Sequence, residues 1–469
     1  SYWNHNTAYH RELVNAVPIR RPAMKKGLRD CIIVGFALFA MFFGAGNLIF
    51  PPLLGFMTGS KWFITFIAFS ITGICIPILG IFAMGKAGGD VQHFAGKVHP
   101  VFANVFGTVI MLGIGPLLAL PRTAATTYEI GVRPFSTSIS PVISSIVFFT
   151  IVLIFSIKPS KVIDTIGKYL TPVLIFVLAA IIIRAFIAPL GPLENPSPQN
   201  FFLKGFLEGY QTMDALAAML FATIIINNIK ERGYSDRKSL LKINLFSGLI
   251  AAAGLLLVYG GLLYAGASAS QVFPKDISRT ALLINICASL WGKVGTAILS
   301  VSITFACITT AIGLTATAGH FFKKLFHNKV SYEAVVIVVS VFSCWLANYG
   351  VENIIRYSVP LLEALYPVCI LLTIMNLLDD YIPNRHYYVG GTIGTLLVSC
   401  LQAFASAEGI VNDFLGLFGT KAVSFEGLAA LLQKLPLSNI GVAWLIPAII
   451  GAFLFGLVGG KGKAAKQTA

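Results

Sequence analysis

Stretches of about 20 apolar residues recur along the chain, each long enough to cross a hydrocarbon layer of roughly 30 Å as a helix. Inside such a layer every backbone N–H and C=O must be satisfied within the protein, which leaves helices and closed barrels as solutions. The alternating ten-residue pattern of a barrel is missing. Composition points the same way: 56% of the 469 residues are hydrophobic and 11% charged, against about 25% charged in an average soluble chain. The sequence predicts an all-α polytopic membrane protein with twelve transmembrane helices, over 31–57, 62–85, 101–127, 141–158, 168–190, 202–227, 243–267, 288–318, 332–349, 354–378, 388–406 and 439–460. No soluble domain is left over.

Lys and Arg set the orientation. With the N-terminus cytoplasmic, the loops and termini on that side hold 23 of the 34 basic residues. Twelve spans then place both termini in the cytoplasm. The net charge of +15 is mostly topology, and no folded basic face exists for a nucleic-acid partner. All seven cysteines lie in or at the ends of apolar spans without a Cys-x-x-Cys pair, which reads as packing rather than metal or redox chemistry. No cleavable signal peptide is visible. Residues 1–30 form a cytoplasmic segment, of which 1–23 read as an extension ahead of Met24, and 461–469 form a tail.

Two spans are interrupted. In the first, Gly44-Ala45-Gly46-Asn47 splits the run "LFAMFFGAGNLIFPP" and Pro51-Pro52 follow. Glycines permit unwinding, and the Asn47 amide can ligate an ion or cap the next half-helix. Close packing through small residues is the alternative, but this spacing does not give one packing face. In the sixth, Gly209, Tyr210, Gln211, Thr212 and Asp214 sit between two apolar halves, and an aspartate at mid-membrane counts as functional by default. Breaks in spans one and six imply a five-helix repeat, and because five is odd the second copy inserts inverted. The expected organisation is 31–190, then 202–378, then two further helices within 388–460.

Each break offers N–H groups at one half-helix end and carbonyls at the other, which suits a zwitterion. The carboxylate is placed at the N–H groups of Ala45 to Asn47, and the amine at carbonyls of Phe43 and of Gly209 to Gln211. Ile114, Leu117 and Leu216 supply an apolar pocket. In span eight, Ala306, Thr309 and Thr310 put hydroxyls and a carbonyl on one face, which suits a hard cation, although membrane threonines also bond back to their own helix. Arg122 and Glu129, seven residues apart in span three, are expected to share a face in its outer half, and Glu363 lies in span ten. These three are candidate gate or vestibule residues, with a structural pair as the alternative. His320 reads as an interface residue.

The stretches "LFAMFFGAGNLIFPP", "GPLLALPRTA", "EGYQTMDALAA" and "TTAIGLT" resemble the bacterial branched-chain amino acid permeases of the BrnQ type, the leucine/isoleucine/valine:cation symporter family. The resemblance spans all twelve helices. It implies the leucine-transporter-like fold of the amino acid–polyamine–organocation superfamily, with two inverted five-helix repeats plus two C-terminal helices. It also implies Na⁺-coupled uptake of leucine, isoleucine and valine through a bacterial inner membrane, with H⁺ coupling or exchange as the alternative. The superfamily's ion site, set on this chain, takes carbonyls of Ala40, Phe43 and Ala306 and hydroxyls of Thr309 and Thr310. Asn47 stands where some members bind a second sodium, but the span-seven asparagine this needs is not evident. A span-three tyrosine that relatives use on the substrate carboxylate is also missing.

Other functions fit less well. A channel would show a repeated filter signature, and an intramembrane enzyme would show a set such as His-Glu-x-x-His or a nucleophile with its base. Neither appears, nor does a Gly-x-x-x-x-Gly-Lys-Ser/Thr loop for ATP. No cofactor beyond the coupling ion is expected, and the bilayer, the amino acid and sodium are the expected partners.

Overall fold

The computed structural model describes residues 24–44, 47–157 and 161–464, with no strand among them. The 1–23 extension, Ala45, Gly46 and residues 465–469 of the tail lie outside the described residues. The helices are α1 Met24–Phe42, α2 Phe50–Thr58, α3 Trp62–Ser70, α4 Ile76–Ala87, α5 Val91–Ala95, α6 Pro100–Leu112, α7 Ala119–Thr126, α8 Pro141–Ile157, α9 Lys161–Ile187 and α10 Phe201–Glu208. They continue as α11 Asp214–Glu231, α12 Arg237–Ser268, α13 Arg279–Leu325, α14 Tyr332–Ala347, α15 Val351–Leu377, α16 His386–Ser406, α17 Glu408–Leu417, α18 Glu426–Gln433 and α19 Leu445–Ala464.

Among the described residues six helical stretches are long and apolar enough to cross a membrane, and the bent pair α10/α11 makes a seventh. Four more apolar helices are shorter, at Pro141–Ile157, Pro172–Ile187, Tyr332–Ala347 and Leu445–Gly459. Each expected apolar segment lies on helix over most of its length. Boundaries differ by several residues, and in the eighth segment the helix from Arg279 is two helices joined at Gly292, whose φ of 65° and ψ of −162° leave the helical region, close to the expected start at 288.

Both expected interruptions are present. α1 ends at Phe42 and α2 starts at Phe50. α10 continues as a 3₁₀ turn over Gly209–Thr212, and α11 leaves at 40° to that stretch. Each break is splinted by an uninterrupted partner. The 32-residue α12 packs along both α1 and α2. α3 packs on α10 and α4 on α11, while the π turn Ile71–Cys75 between them lies against the Gly209–Thr212 turn. There Thr72 donates its hydroxyl to Phe206 O at 2.7 Å. That bond satisfies a carbonyl at the end of α10 that would otherwise face the interior unpaired.

The glycines of the two breaks do different jobs. Gly209 keeps helical φ and ψ of −62° and −25°. It is needed because a Cβ there would run into Thr72 Oγ1 and the backbone of Phe69 and Gly73. The turn itself happens at Met213, whose φ of 62° and ψ of 7° are left-handed. Gly44, by contrast, borders open space, with no atom within 4 Å of where a Cβ would sit.

The two positions therefore predict opposite outcomes. Gly209→Val should destabilise the folded protein by roughly 1–3 kcal/mol through overpacking, while Gly44→Ala should leave its stability unchanged. Thermal unfolding of the two purified variants in detergent separates these expectations.

Candidate functional site

The breaks meet at a buried polar cluster. Asn47, just past the first break, donates its side-chain N–H to Asp214 Oδ1 at 2.9 Å and Oδ2 at 3.1 Å, and to Phe42 O at 3.1 Å. Asp214 opens α11, where its negative charge complements the helix dipole. Its N–H donates to Thr212 Oγ1 at 3.3 Å, and the Ala215 N–H donates to the Tyr366 hydroxyl at 3.2 Å. Arg122 of α7 donates from Nη1 to Gln211 O at 2.7 Å, and its Nη2 lies a long 3.4 Å from Asn47 Oδ1. The amide is thus oriented by chemistry: its NH₂ faces an acceptor-only carboxylate and its oxygen a donor-only guanidinium. Asn47, Arg122 and Asp214 are only 4%, 3% and 5% exposed.

These groups line a cavity of about 60 Å³ with Gly44, Ile114, Thr123, Thr212, Met213 and Thr310. Its apolar wall includes Met41, Phe42, Ala217, Phe221 and Leu314. Of the residues expected around a substrate, Gly44, Asn47, Ile114 and Asp214 border it. Phe43 is buried beside it and stacks on Phe39 at 4.8 Å between ring centroids. Gln211 contributes its carbonyl through Arg122, while Ser358 donates to its Oε1 at 2.7 Å.

Other expected residues stand elsewhere. The Tyr210 ring stacks on Tyr366 at 4.4 Å and faces a separate cavity with Glu363. Leu216 is buried without lining the pocket. Leu117 is 37% exposed and lines a lateral cavity with Tyr349 and Tyr357. Arg122 and Glu129 form no bond to each other and meet different partners, with a π turn over Thr127–Val132 beginning between them. Arg122 sits at the cluster. Glu129 accepts from Thr280 Oγ1 at 2.6 Å and from the Val351 N–H at 3.0 Å. Glu363 accepts from Ser406 at 2.5 Å and touches neither of them.

For the ion site, the Gly44 N–H donates to Phe42 O rather than to Ala40 O, which releases the Ala40 carbonyl from the helical ladder. Thr310 borders the same pocket as Met41, Phe42 and Gly44. Thr309 turns its hydroxyl onto Ala306 O at 3.0 Å.

Arg279, which the sequence reading passed over, shares the Phe50 ring with Arg122. It pairs with Glu208 and, at 3.4 Å, with Glu352. The Phe50 ring lies between two guanidinium groups, 5.1 Å from Arg122 and 5.2 Å from Arg279. These contacts join α2, α7, α10, α13 and α15 in one layer above the pocket. The signal available in the sequence was a basic residue at a helix start with acids at Glu208 and Glu352, but nothing local shows that they meet.

Two interrupted helices crossing at a buried polar pocket, inside an all-helical membrane bundle, are the architecture of a secondary transporter. Solved transporters share it. The inward-facing Mhp1 structure matches with a TM-score of 0.55 at 13% identity, covering 93% of this chain and 91% of that one. A manganese transporter of Eremococcus coleocola matches with a TM-score of 0.60 at 14% identity, covering 94% and 97%. The fold is thus leucine-transporter-like. The family model described as "Branched-chain amino acid transport protein" matches residues 28–461, and the chain belongs to that family. The branched-chain amino acid permease BraB of Bacillus subtilis is 38% identical over 435 residues, which is 91% of this chain and 95% of that protein. BrnQ of Escherichia coli K12 is 33% identical over 428 residues, 90% and 94% respectively. The protein is a multi-pass membrane transporter and not an enzyme.

If the Arg279 layer holds the pocket shut, Arg279→Ala should loosen it. A cysteine placed at Thr123 should then react severalfold faster with a membrane-impermeant maleimide added from that side, as read by mass spectrometry at that residue. An unchanged labelling rate would remove the layer from the gate.

Proposed function

We propose that this protein carries leucine, isoleucine and valine into the bacterial cell by Na⁺-coupled symport with alternating access. It would sit in the cytoplasmic membrane with both termini inside, as the basic-residue bias supports. The observation that carries the substrate reading is the pocket itself: charged groups at one end, and Met41, Phe42, Ile114, Ala217, Phe221 and Leu314 along its wall. Such a wall suits a branched aliphatic side chain. The names of its relatives, branched-chain amino acid permeases, agree. A methylene changes affinity by only about 1–3 kcal/mol, so the three amino acids should compete with one another. Uptake into proteoliposomes tests this: alanine and lysine competing as well as leucine would refute it.

Sodium is the proposed coupling ion, held by carbonyls of Ala40, Phe43 and Ala306 and hydroxyls of Thr309 and Thr310. A neutral oxygen set has no proton to release and suits a hard cation. The freed Ala40 carbonyl and the place of Thr310 support it. Asp214 motivates the rival reading, since a buried carboxylate can carry a proton.

Separate Na⁺ and H⁺ gradients across the proteoliposome membrane decide between the two. The double variant Thr309→Ala/Thr310→Ala should raise the Na⁺ concentration needed for half-maximal uptake about tenfold or more, the scale of losing ligands worth above 1.4 kcal/mol. An unchanged Na⁺ dependence, with uptake driven by a proton gradient alone and lost in Asp214→Asn, would make the ion a proton.

A further inference from the structure

We infer that Arg122 and Asp214 together read the two charges of the transported amino acid, the guanidinium taking its carboxylate and the aspartate its ammonium. The inference rests on the amino acid reading above and adds what selects an α-amino acid from an amine or an acid with the same side chain.

Arg122 and Asp214 are buried, carry opposite charge when ionised and border the same cavity, yet among the described residues they form no ion pair with each other. Asn47 stands between them, its amide oxygen toward the cation and its NH₂ toward the anion. If the two charges served only to neutralise one another, direct contact would relieve more of the burden of burying them. Held apart, each keeps unused bonding capacity. A guanidinium has five N–H donors. Arg122 has one good acceptor, Gln211 O, and one distant one, and its buried Nε has no partner among the described residues. Among the described residues, the two oxygens of Asp214 receive the Asn47 NH₂ and no other hydrogen bond. Buried polar atoms left unpaired cost the protein stability, and here they border the pocket the substrate must enter.

The arrangement also matches a zwitterion in polarity. The ammonium and carboxylate of an α-amino acid leave one carbon, so their separation is short and fixed. The Asn47 amide presents its own short dipole at the same place, with the opposite groups toward each charge. An amino acid head beside it completes both ends, and the bidentate geometry of arginine suits a carboxylate.

Binding to the purified full-length protein in detergent, by calorimetry, tests this with leucine, 3-methylbutylamine and 4-methyl-2-oxopentanoate. Wild type should prefer leucine to either analogue by roughly 100-fold or more, because each leaves one buried charge unmatched. Arg122→Gln should lose most of its leucine affinity and narrow the gap to the amine. Asp214→Asn should narrow the gap to the oxo acid. This crossed pattern is one that a purely structural pair would not give. Arg122→Lys keeps the charge and serves if the glutamine variant does not fold; it should still reject the amine. Leucine affinity in Arg122→Gln within threefold of wild type, or selectivity ratios unmoved in the folded variants, overturns the inference and leaves the transport reading standing. If wild type binds no branched-chain amino acid, the substrate reading falls and takes the inference with it.

Discussion

The Asn47 amide holds the centre of this molecule together. It is a single side chain, 4% exposed, bonded to the aspartate that opens α11 and facing the arginine of α7. Through it three segments that the chain brings from residues 47, 122 and 214 share one electrostatic arrangement. In a low-dielectric interior an isolated charge is far more costly than in water. A cation and an anion can be kept there only if something polar and correctly oriented stands beside both. An aliphatic residue at 47 would strip Asp214 of the amide donor and leave Arg122 with Gln211 O but no polar link to the aspartate.

A break in a membrane helix exposes backbone groups that lipid cannot satisfy. This fold answers with uninterrupted helices set alongside. α12 bridges α1 and α2, and the α3–α4 stretch bridges α10 and α11. The same arrangement explains where small residues are required. Gly55 and Gly266 let the α2 and α12 backbones touch, since a Cβ on Gly55 would strike Leu263 O and one on Gly266 would strike Pro52 O. Gly390 and Gly451 do the same for α16 and α19. Close backbone approach gives van der Waals packing where no hydrophobic force drives helices together.

Much of this was legible in the sequence, because membrane burial makes polar residues and glycines conspicuous. The two interruptions, the polar character of Asn47 and Asp214, and the hydroxyl face of α13 all follow from residue type against an apolar background. What was hidden depends on local backbone geometry. Regular helical spacing put Arg122 and Glu129 along one face, but it could not show that Arg122 bonds into the pocket cluster while Glu129 bonds to Thr280 and Val351. The second interruption was expected over Gly209–Asp214 as a stretch, and residue type did not show that its left-handed residue is Met213, an uncommon state for a side chain with a Cβ. Leu117 was expected to line the pocket with Ile114, and its side chain lines a lateral cavity instead. The Arg279 layer joins residues from five helices, a set that pattern within any one segment cannot reveal.

The opposite charges of Arg122 and Asp214 have an electrical consequence. Their formal sum is zero, and an amino acid zwitterion adds nothing to it. A turnover that moves this pocket from one membrane face to the other therefore displaces no net charge on account of the substrate. Under the proposed symport, any current would belong to the coupling ion alone, so charge moved per amino acid would count those ions directly. One elementary charge falling through 100 mV releases about 2.3 kcal/mol. At about 1.4 kcal/mol per tenfold, a single monovalent ion driven by that voltage sustains roughly a fiftyfold accumulation. The resting potential of the cell then sets how steep an amino acid gradient such a carrier can hold.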